Sequence, residues 1–188
     1  MLMAAVLLSS VVAFAQHAVG AFSIQPKVGI TIANMTNSEA NAKVGLIAGA
    51  EAEYQATSLL GISFGALYSM QGTTSDEEKI KTEYVNVPIL LNFYVAKGFA
   101  LKAGIQPGFR TKGELEGNIA GNKISVDAGQ LFKDVDFSIP VGLSYEVSSF
   151  VLDARYNWGL TKVFDTSKLD VDTKNSVFQI TLGYKFDL

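Results

Sequence analysis

The sequence has no cysteine, and histidine occurs once among its 188 residues, at position 17. The absence of cysteine excludes a disulfide framework, a zinc–thiolate site and a cysteine nucleophile. Basic residues are also few, since 15 Lys and Arg stand against 18 Asp and Glu, and the formal net charge is -3. Nucleic-acid binding normally requires a basic face. We therefore predict no nucleic-acid partner, no cofactor and no metal site.

The first 15 residues, MLMAAVLLSSVVAFA, form an apolar run that contains no charged residue. The run has the length of a signal-peptide core and is too short for a membrane-spanning helix. Ala13-Phe14-Ala15 fits the small-x-small cleavage rule, although no Lys or Arg precedes the run. We predict a signal peptide at 1–15, cleaved after Ala15, and a single domain at 16–188. A buried N-terminal helix is the alternative, and His17 is not expected to act as a catalytic base.

Apolar and polar residues alternate at every second position in eight segments of the chain. These segments are residues 24–33, 43–54, 60–71, 84–95, 99–110, 135–147, 150–160 and 177–188. Alternation with a period of two is typical of β-strands with one apolar face. Soluble strands are commonly about 5–6 residues long, whereas a tilted strand needs roughly 9–11 residues to cross a bilayer. The lengths of the eight segments match those of strands that cross a bilayer.

The connections between these segments alternate between short and long. Tight turns are predicted at 56–58, 96–98 and 148–149, and long polar connections at 34–42, 72–81, 111–134 and 161–176. Short turns at one rim and long loops at the other are typical of outer-membrane barrels. Residues 119–124 are interpreted as a small hairpin above the membrane. In the hairpin around 96–98, we expect Val95 to oppose Phe99 and Gly98 to be left-handed.

The polar face of the strands is rich in Gly and Ser and has few Lys and Glu. Small residues suit the interior of a narrow barrel. The charges on this face are balanced, five against five, and buried charges must be paired. The sequence therefore predicts a structural network of lumen charges formed by Lys27, Lys102, Arg110, Arg155, Lys185, Glu51, Glu53, Asp136, Glu146 and Asp153. The aromatic residues gather near the strand ends, as in the two girdles of a membrane barrel.

Together these patterns predict an all-β fold: an eight-stranded antiparallel up-and-down transmembrane barrel of the outer-membrane type. Its short turns would be periplasmic and its long loops extracellular. A soluble all-β domain is the alternative. Pro26, Pro88, Pro107 and Pro140 lie within the predicted strands, where proline cannot donate a ladder hydrogen bond. We expect bulges at these positions, unless the strands are shorter than drawn.

Five short stretches resemble one known family in their order and spacing. They are EYVNVPILL at 83–91, AGIQPG at 103–108, VDF at 135–137, YNWGLT at 156–161 and LGYKF at 182–186. In these stretches the chain resembles the PorT-like outer-membrane β-barrel proteins of Bacteroidetes-type bacteria. The resemblance implies an outer-membrane location and a barrel fold. Some members are linked to secretion, and the resemblance implies no catalytic motif.

Three functions are consistent with these features. The first is a structural or interaction barrel with a plugged lumen, accessory to secretion or envelope assembly, whose long loops contact a protein partner. The second is a narrow channel for small polar solutes, and the third is a soluble ligand-binding barrel. We predict that the chain is not an enzyme, that it is monomeric and that it contacts outer-membrane lipids. Acidic loop residues at 76–78 and 165–172 lack EF-hand spacing and are interpreted as solvated.

Overall fold

A computed structural model describes residues 18–36, 41–74, 78–119, 122–163 and 173–188. The predicted signal peptide, His17 and most of the acidic loop residues lie outside these ranges. Within the described residues, a 3-10 helix occupies Gly129–Leu131, and no helix is long and apolar enough to cross a membrane. All other regular structure in these ranges is β-strand. The strands are β1 Phe22–Met35, β2 Asn41–Gln55, β3 Leu60–Thr74, β4 Glu78–Asn86, β5 Ile89–Ala96, β6 Phe99–Ile119, β7 Asn122–Asp127, β8 Val135–Val147, β9 Phe150–Lys162, β10 Lys174–Tyr184 and β11 Phe186–Asp187.

The strands close into an antiparallel barrel of eight staves. Each stave pairs with the next stave along the chain, and β1 closes the barrel by pairing with β10. β4 and β5 are the two halves of one stave, because both keep a single register against β3. The short β11 continues the β10 stave, and β7 pairs only with the outer half of β6. The predicted eight-stranded barrel is confirmed, and so is the small hairpin above it.

The four prolines Pro26, Pro88, Pro107 and Pro140 do not shift the register, so the bulges predicted at these positions are wrong. Pro26, Pro107 and Pro140 each pair with one neighbouring strand in a ladder of constant register. A proline lacks only one donor, so it interrupts the ladder on one side and leaves the other side intact. Pro88 falls in the two-residue break between β4 and β5, where the alternative of shorter strands is correct.

The turn between β5 and β6 is tighter than predicted. Ala96, rather than Val95, pairs with Phe99, and a register shift between Tyr94 and Ala96 makes Val95 the extra residue of a bulge. This leaves a two-residue turn. Gly98 has a φ of 76°, in the left-handed region that glycine adopts without steric cost, as expected.

The barrel has a polar interior and an apolar exterior. Along β1, Lys27 is 4% exposed whereas its neighbour Val28 is 60% exposed, and the same alternation continues in β8 and β9. A soluble barrel would have to turn this continuous apolar wall inward, because large exposed apolar surfaces are rare on soluble proteins. The burial pattern therefore argues against the soluble ligand-binding barrel and places the candidate site in the lumen.

Candidate functional site in the lumen and its outer mouth

Five charged side chains form one cluster in the middle of the lumen, which we call the central ion layer: Lys27, Glu51, Lys102, Asp153 and Arg155. Lys27 Nζ lies 2.8 Å from Glu51 Oε2 and 3.6 Å from Asp153 Oδ2. Lys102 Nζ lies 2.7 Å from the same Asp153 oxygen. All five are buried. The layer joins side chains from β1, β2, β6 and β9, so the ion pairs cross the lumen.

Arg155 is the centre of this layer. Its guanidinium binds Glu51 in a bidentate manner, with Nη1–Oε1 and Nη2–Oε2 distances of 2.5 and 2.7 Å. Its Nε also lies 2.7 Å from Asp153 Oδ1. Bidentate pairs between arginine and carboxylate are the strongest and most directional ion pairs in proteins. Arg155 therefore fixes the positions of both carboxylates.

A second group of charges lies closer to the short-turn rim and forms the lower ion layer: Glu53, Glu146 and Lys185. Lys185 Nζ lies 2.9 Å from Glu146 Oε2 and 3.8 Å from Glu53 Oε1. The hydroxyl of Tyr94 and the amide of Asn92 also donate hydrogen bonds to Glu53. The central layer has one more cation than carboxylates and the lower layer one more carboxylate than cations, so four charges of each sign balance.

Tyr94 and Asn92 have the parity of the polar face in the strand at 84–95, but the sequence indicates no role for either residue. The available signal was the hydroxyl of Tyr94 in a lumen that contains several carboxylates, because a buried carboxylate needs hydrogen-bond donors for its oxygens. The hydrogen bonds of Tyr94 and Asn92 to Glu53 could not be derived from the sequence, because the two staves that hold these residues are separated by β3.

Lumen-facing glycines provide the space for the large charged side chains. A Cβ atom on Gly142 would lie 2.8 Å from Arg155 Cγ and would also meet the Ala154 carbonyl oxygen. A Cβ atom on Gly65 would lie 2.6 Å from Glu51 Cγ. Real Cβ atoms do not approach other atoms so closely. The Gly-rich polar face therefore makes room for the ion layers, since the Arg155 and Glu51 side chains each lie across a glycine.

We expect Gly142→Ala to destabilise the barrel by about 1–3 kcal/mol, the usual cost of overpacking. The added methyl group would displace Arg155 from its carboxylates. Gly108→Ala is the matched control, because the one contact of its Cβ atom below 3.0 Å would be with Oδ1 of Asn86, the end of a side chain rather than backbone. Urea unfolding in lipid vesicles measures both free energies. Equal costs for the two variants would contradict the proposed fit of Arg155 over Gly142.

Two of the ten predicted network residues, Arg110 and Asp136, lie apart from both ion layers. Arg110 Nη2 lies 2.5 Å from Asp134 Oδ1, at the outer end of the barrel. Asp136 accepts hydrogen bonds from Asn175 Nδ2 at 2.9 Å and from the hydroxyl of Thr161. The predicted pairing of five against five is therefore corrected to four against four, with Arg110 and Asp136 bound to other partners.

An apolar cluster lies at the outer end of the barrel. Met35, Ala128, Phe132 and Val163 are buried there, and three partly buried residues pack against them: Ile80, Leu115 and Leu131. Sequence reasoning missed this cluster because it treated residues 111–134 as a polar loop. The available signals were the apolar pair Leu131-Phe132 within that loop and the lumen-side positions of Met35 and Val163.

Backbone hydrogen bonds hold the segment around the 3-10 helix over the mouth. The amide of Ala128 donates to the Gly113 carbonyl at 3.0 Å, and the amide of Lys133 donates to the Val163 carbonyl at 2.9 Å. This segment therefore contacts both β6 and the chain just after β9. In the part of the chain that the structure describes, no group of three or more His, Cys, Asp or Glu side chains is arranged to hold a metal ion.

Comparisons with known proteins agree with this architecture. A family model described as outer membrane protein beta-barrel domain matches residues 1–186. Among solved structures, Ail, the attachment invasion locus protein of Yersinia pestis, is 17% identical with a TM-score of 0.55, over 90% of this chain and 100% of that one. Neisserial surface protein A is 14% identical with a TM-score of 0.53, over 87% of this chain and 95% of its own.

These likenesses are limited to the fold, because the identities are low. A search of curated protein sequences gave no match. The matching family is also broader than the PorT-like proteins that the sequence motifs resemble.

Proposed function

We propose that this chain, which belongs to the family of outer membrane β-barrel domains, is a barrel with a sealed lumen. We further propose that its extracellular loops bind a partner. The barrel lies in the outer membrane. The observation that supports a sealed lumen is the central ion layer, in which Arg155 of β9 reaches Glu51 of β2 across the interior. Eight strands leave an interior just wide enough for side chains, and these side chains fill it.

The apolar cluster at the outer mouth supports the same proposal independently. A hydrated ion passing this cluster would have to lose water without gaining polar partners, which costs several kcal/mol. The ion layers below it offer only charges that are already paired. The two barriers differ in chemistry, so a single substitution in one of them is not expected to open a path.

The proposed role is interaction rather than catalysis. β6 runs 21 residues, and its outer half forms with β7 a hairpin that extends beyond the barrel. This hairpin offers a surface above the membrane to a partner in the cell envelope. On the resemblance to PorT-like proteins, we propose that the partner belongs to secretion or envelope assembly.

A narrow channel is the competing function, and conductance across a planar bilayer separates the two. We expect the wild-type barrel to show no steady conductance after insertion, because both barriers close the lumen. Insertion is verified by the shift in gel mobility between unheated and heated samples, which reports a folded barrel. A steady, ion-selective conductance of the wild-type protein would refute the sealed barrel and establish the channel.

A further inference from the structure

A cavity of about 930 Å³ lies at the extracellular end, outside the sealed lumen. The outer hairpin of β6 and β7 forms one side, and the segment from Asp127 to Asp134 forms the other. The volume falls within the roughly 300–1,000 Å³ that is usual for small-molecule sites. We call this space the outer cavity.

Arg110 lies at the base of the outer cavity with one nitrogen unused. Only 10% of its side chain is exposed. Its Nη2 binds Asp134, and its Nε donates to the Lys133 carbonyl at 3.2 Å. Among the described residues, no acceptor lies within hydrogen-bond distance of Nη1. Nη1 therefore keeps donor capacity toward the outer cavity, and a ligand carboxylate there would accept a charge-assisted hydrogen bond.

Two glycines leave Nη1 accessible. A Cβ atom on Gly113 would lie 3.3 Å from Nη1, and one on Gly129 would lie 3.2 Å from it. Side chains at these positions would cover the nitrogen from both sides. The amide of Gly129 donates to Asp127 Oδ1 at 2.9 Å, which holds the edge of the opening in place.

The charges around the outer cavity limit the anion that fits. Arg110 and Lys112 are the cations, and Asp127 and Asp134 are the carboxylates, so the lining is neutral. Lys112 Nζ lies 2.9 Å from Glu114 Oε1, and this hydrogen bond raises the pKa of Lys112 above its ordinary value. A doubly charged phosphate would be repelled by the two carboxylates, whereas a single carboxylate group needs only the free side of one guanidinium.

Apolar side chains form the rest of the wall. Leu115 and Val126 are cross-strand neighbours in the β6–β7 hairpin, and Val126 is 57% exposed. Leu131 of the 3-10 helix faces the same space. We propose that the outer cavity binds a small ligand with one carboxylate group, held by Arg110 Nη1, and an apolar body that lies against Leu115, Val126 and Leu131.

Binding of hexanoate to the barrel in lipid nanodiscs tests this proposal, with hexan-1-ol and inorganic phosphate as comparison ligands. Isothermal titration or saturation-transfer NMR gives the dissociation constants. We expect hexanoate to bind at least tenfold more tightly than either comparison ligand. Arg110→Gln should weaken hexanoate binding at least tenfold. Gly129→Ala should do the same, because it covers Nη1 while the charge stays in place.

Lys97→Gln is the matched control, because this exposed lysine lies in the short turn at the opposite rim and its loss changes the net charge equally. It should leave hexanoate binding unchanged. Gel mobility of unheated samples verifies that each variant is folded, and Gly129→Ala decides the question if Arg110→Gln does not fold. Losses below tenfold in the folded variants, or equal binding of hexan-1-ol or phosphate, would overturn the site. Hexanoate binding does not depend on conductance. Failure of the binding test would therefore refute the ligand site without refuting the sealed lumen, and a steady conductance would refute the sealed lumen without refuting the ligand site.

Discussion

Asp153→Asn is expected to destabilise the barrel by about 3–5 kcal/mol, the usual cost of leaving one partner of a buried ion pair without the other. Asp153 is fully buried and contacts all three cations of the central ion layer. Lys102 has no other carboxylate partner among the described residues. The variant would leave Lys27, Lys102 and Arg155 with Glu51 as the one carboxylate of the layer. The free energy of unfolding in urea, measured in lipid vesicles, gives the cost.

Asp134→Asn is the matched control for this prediction. It removes the same charge from the pair with Arg110, but the Asp134 side chain is 85% exposed. Asparagine at this exposed position keeps a carbonyl oxygen that can accept from Arg110 Nη2, and water reaches the same side, so this variant should cost much less than Asp153→Asn. The double variant Asp153→Asn with Lys102→Met should regain much of the lost stability, because it restores the original charge excess of the layer. If Asp153→Asn costs no more than Asp134→Asn, the ion layer does not stabilise the barrel.

The second large effect is expected at the lipid-facing wall. Leu91 lies in the middle of its stave, with its side chain 45% exposed on the apolar exterior. Arginine at such a position faces hydrocarbon and costs roughly 2–4 kcal/mol near the bilayer midplane. We therefore expect Leu91→Arg to lower the free energy of unfolding in vesicles by this amount.

The depth dependence supplies the control for Leu91→Arg. Val95 faces the same side of β5, close to the short-turn rim, where arginine costs only about 0–1 kcal/mol. Val95→Arg should therefore be mild. Equal costs at the two positions, or a harmless arginine at Leu91, would mean that this wall does not face lipid.

The side that each strand residue faces could be predicted from the sequence, because alternation in a strand has a strict period. Lys27 and Arg155 were placed in the lumen simply because their neighbours Val28 and Tyr156 continue the apolar series. Alternation gives no information on height along the barrel axis, since height depends on the stagger between strands. The pairing of Arg155 with Glu51, and the separation of the charges into two layers, therefore required the structure.

For Arg110 and Phe132, the alternation of apolar and polar residues does not predict which residues their side chains contact. Arg110 has the correct parity for the lumen, but it lies near the outer end of its stave, where Asp134 of a long connection reaches it. Phe132 lies in that same connection, where no period exists to indicate its partners. Contacts made by irregular segments depend on the path of the backbone, and local sequence does not determine that path.

The pair between Arg155 and Glu51 joins residues that are 104 positions apart in the chain. Contacts between distant residues form late, because the entropy of closing the intervening chain must be overcome first. Until β9 arrives, Glu51 on β2 has Lys27 of β1 as a partner but no guanidinium, and Lys102 of β6 lacks the Asp153 carboxylate. Side chains that are charged and incompletely paired enter hydrocarbon only at high cost. Insertion of the wall and neutralisation of the interior must therefore occur together, so the barrel is expected to enter the membrane as a nearly complete cylinder rather than one hairpin at a time.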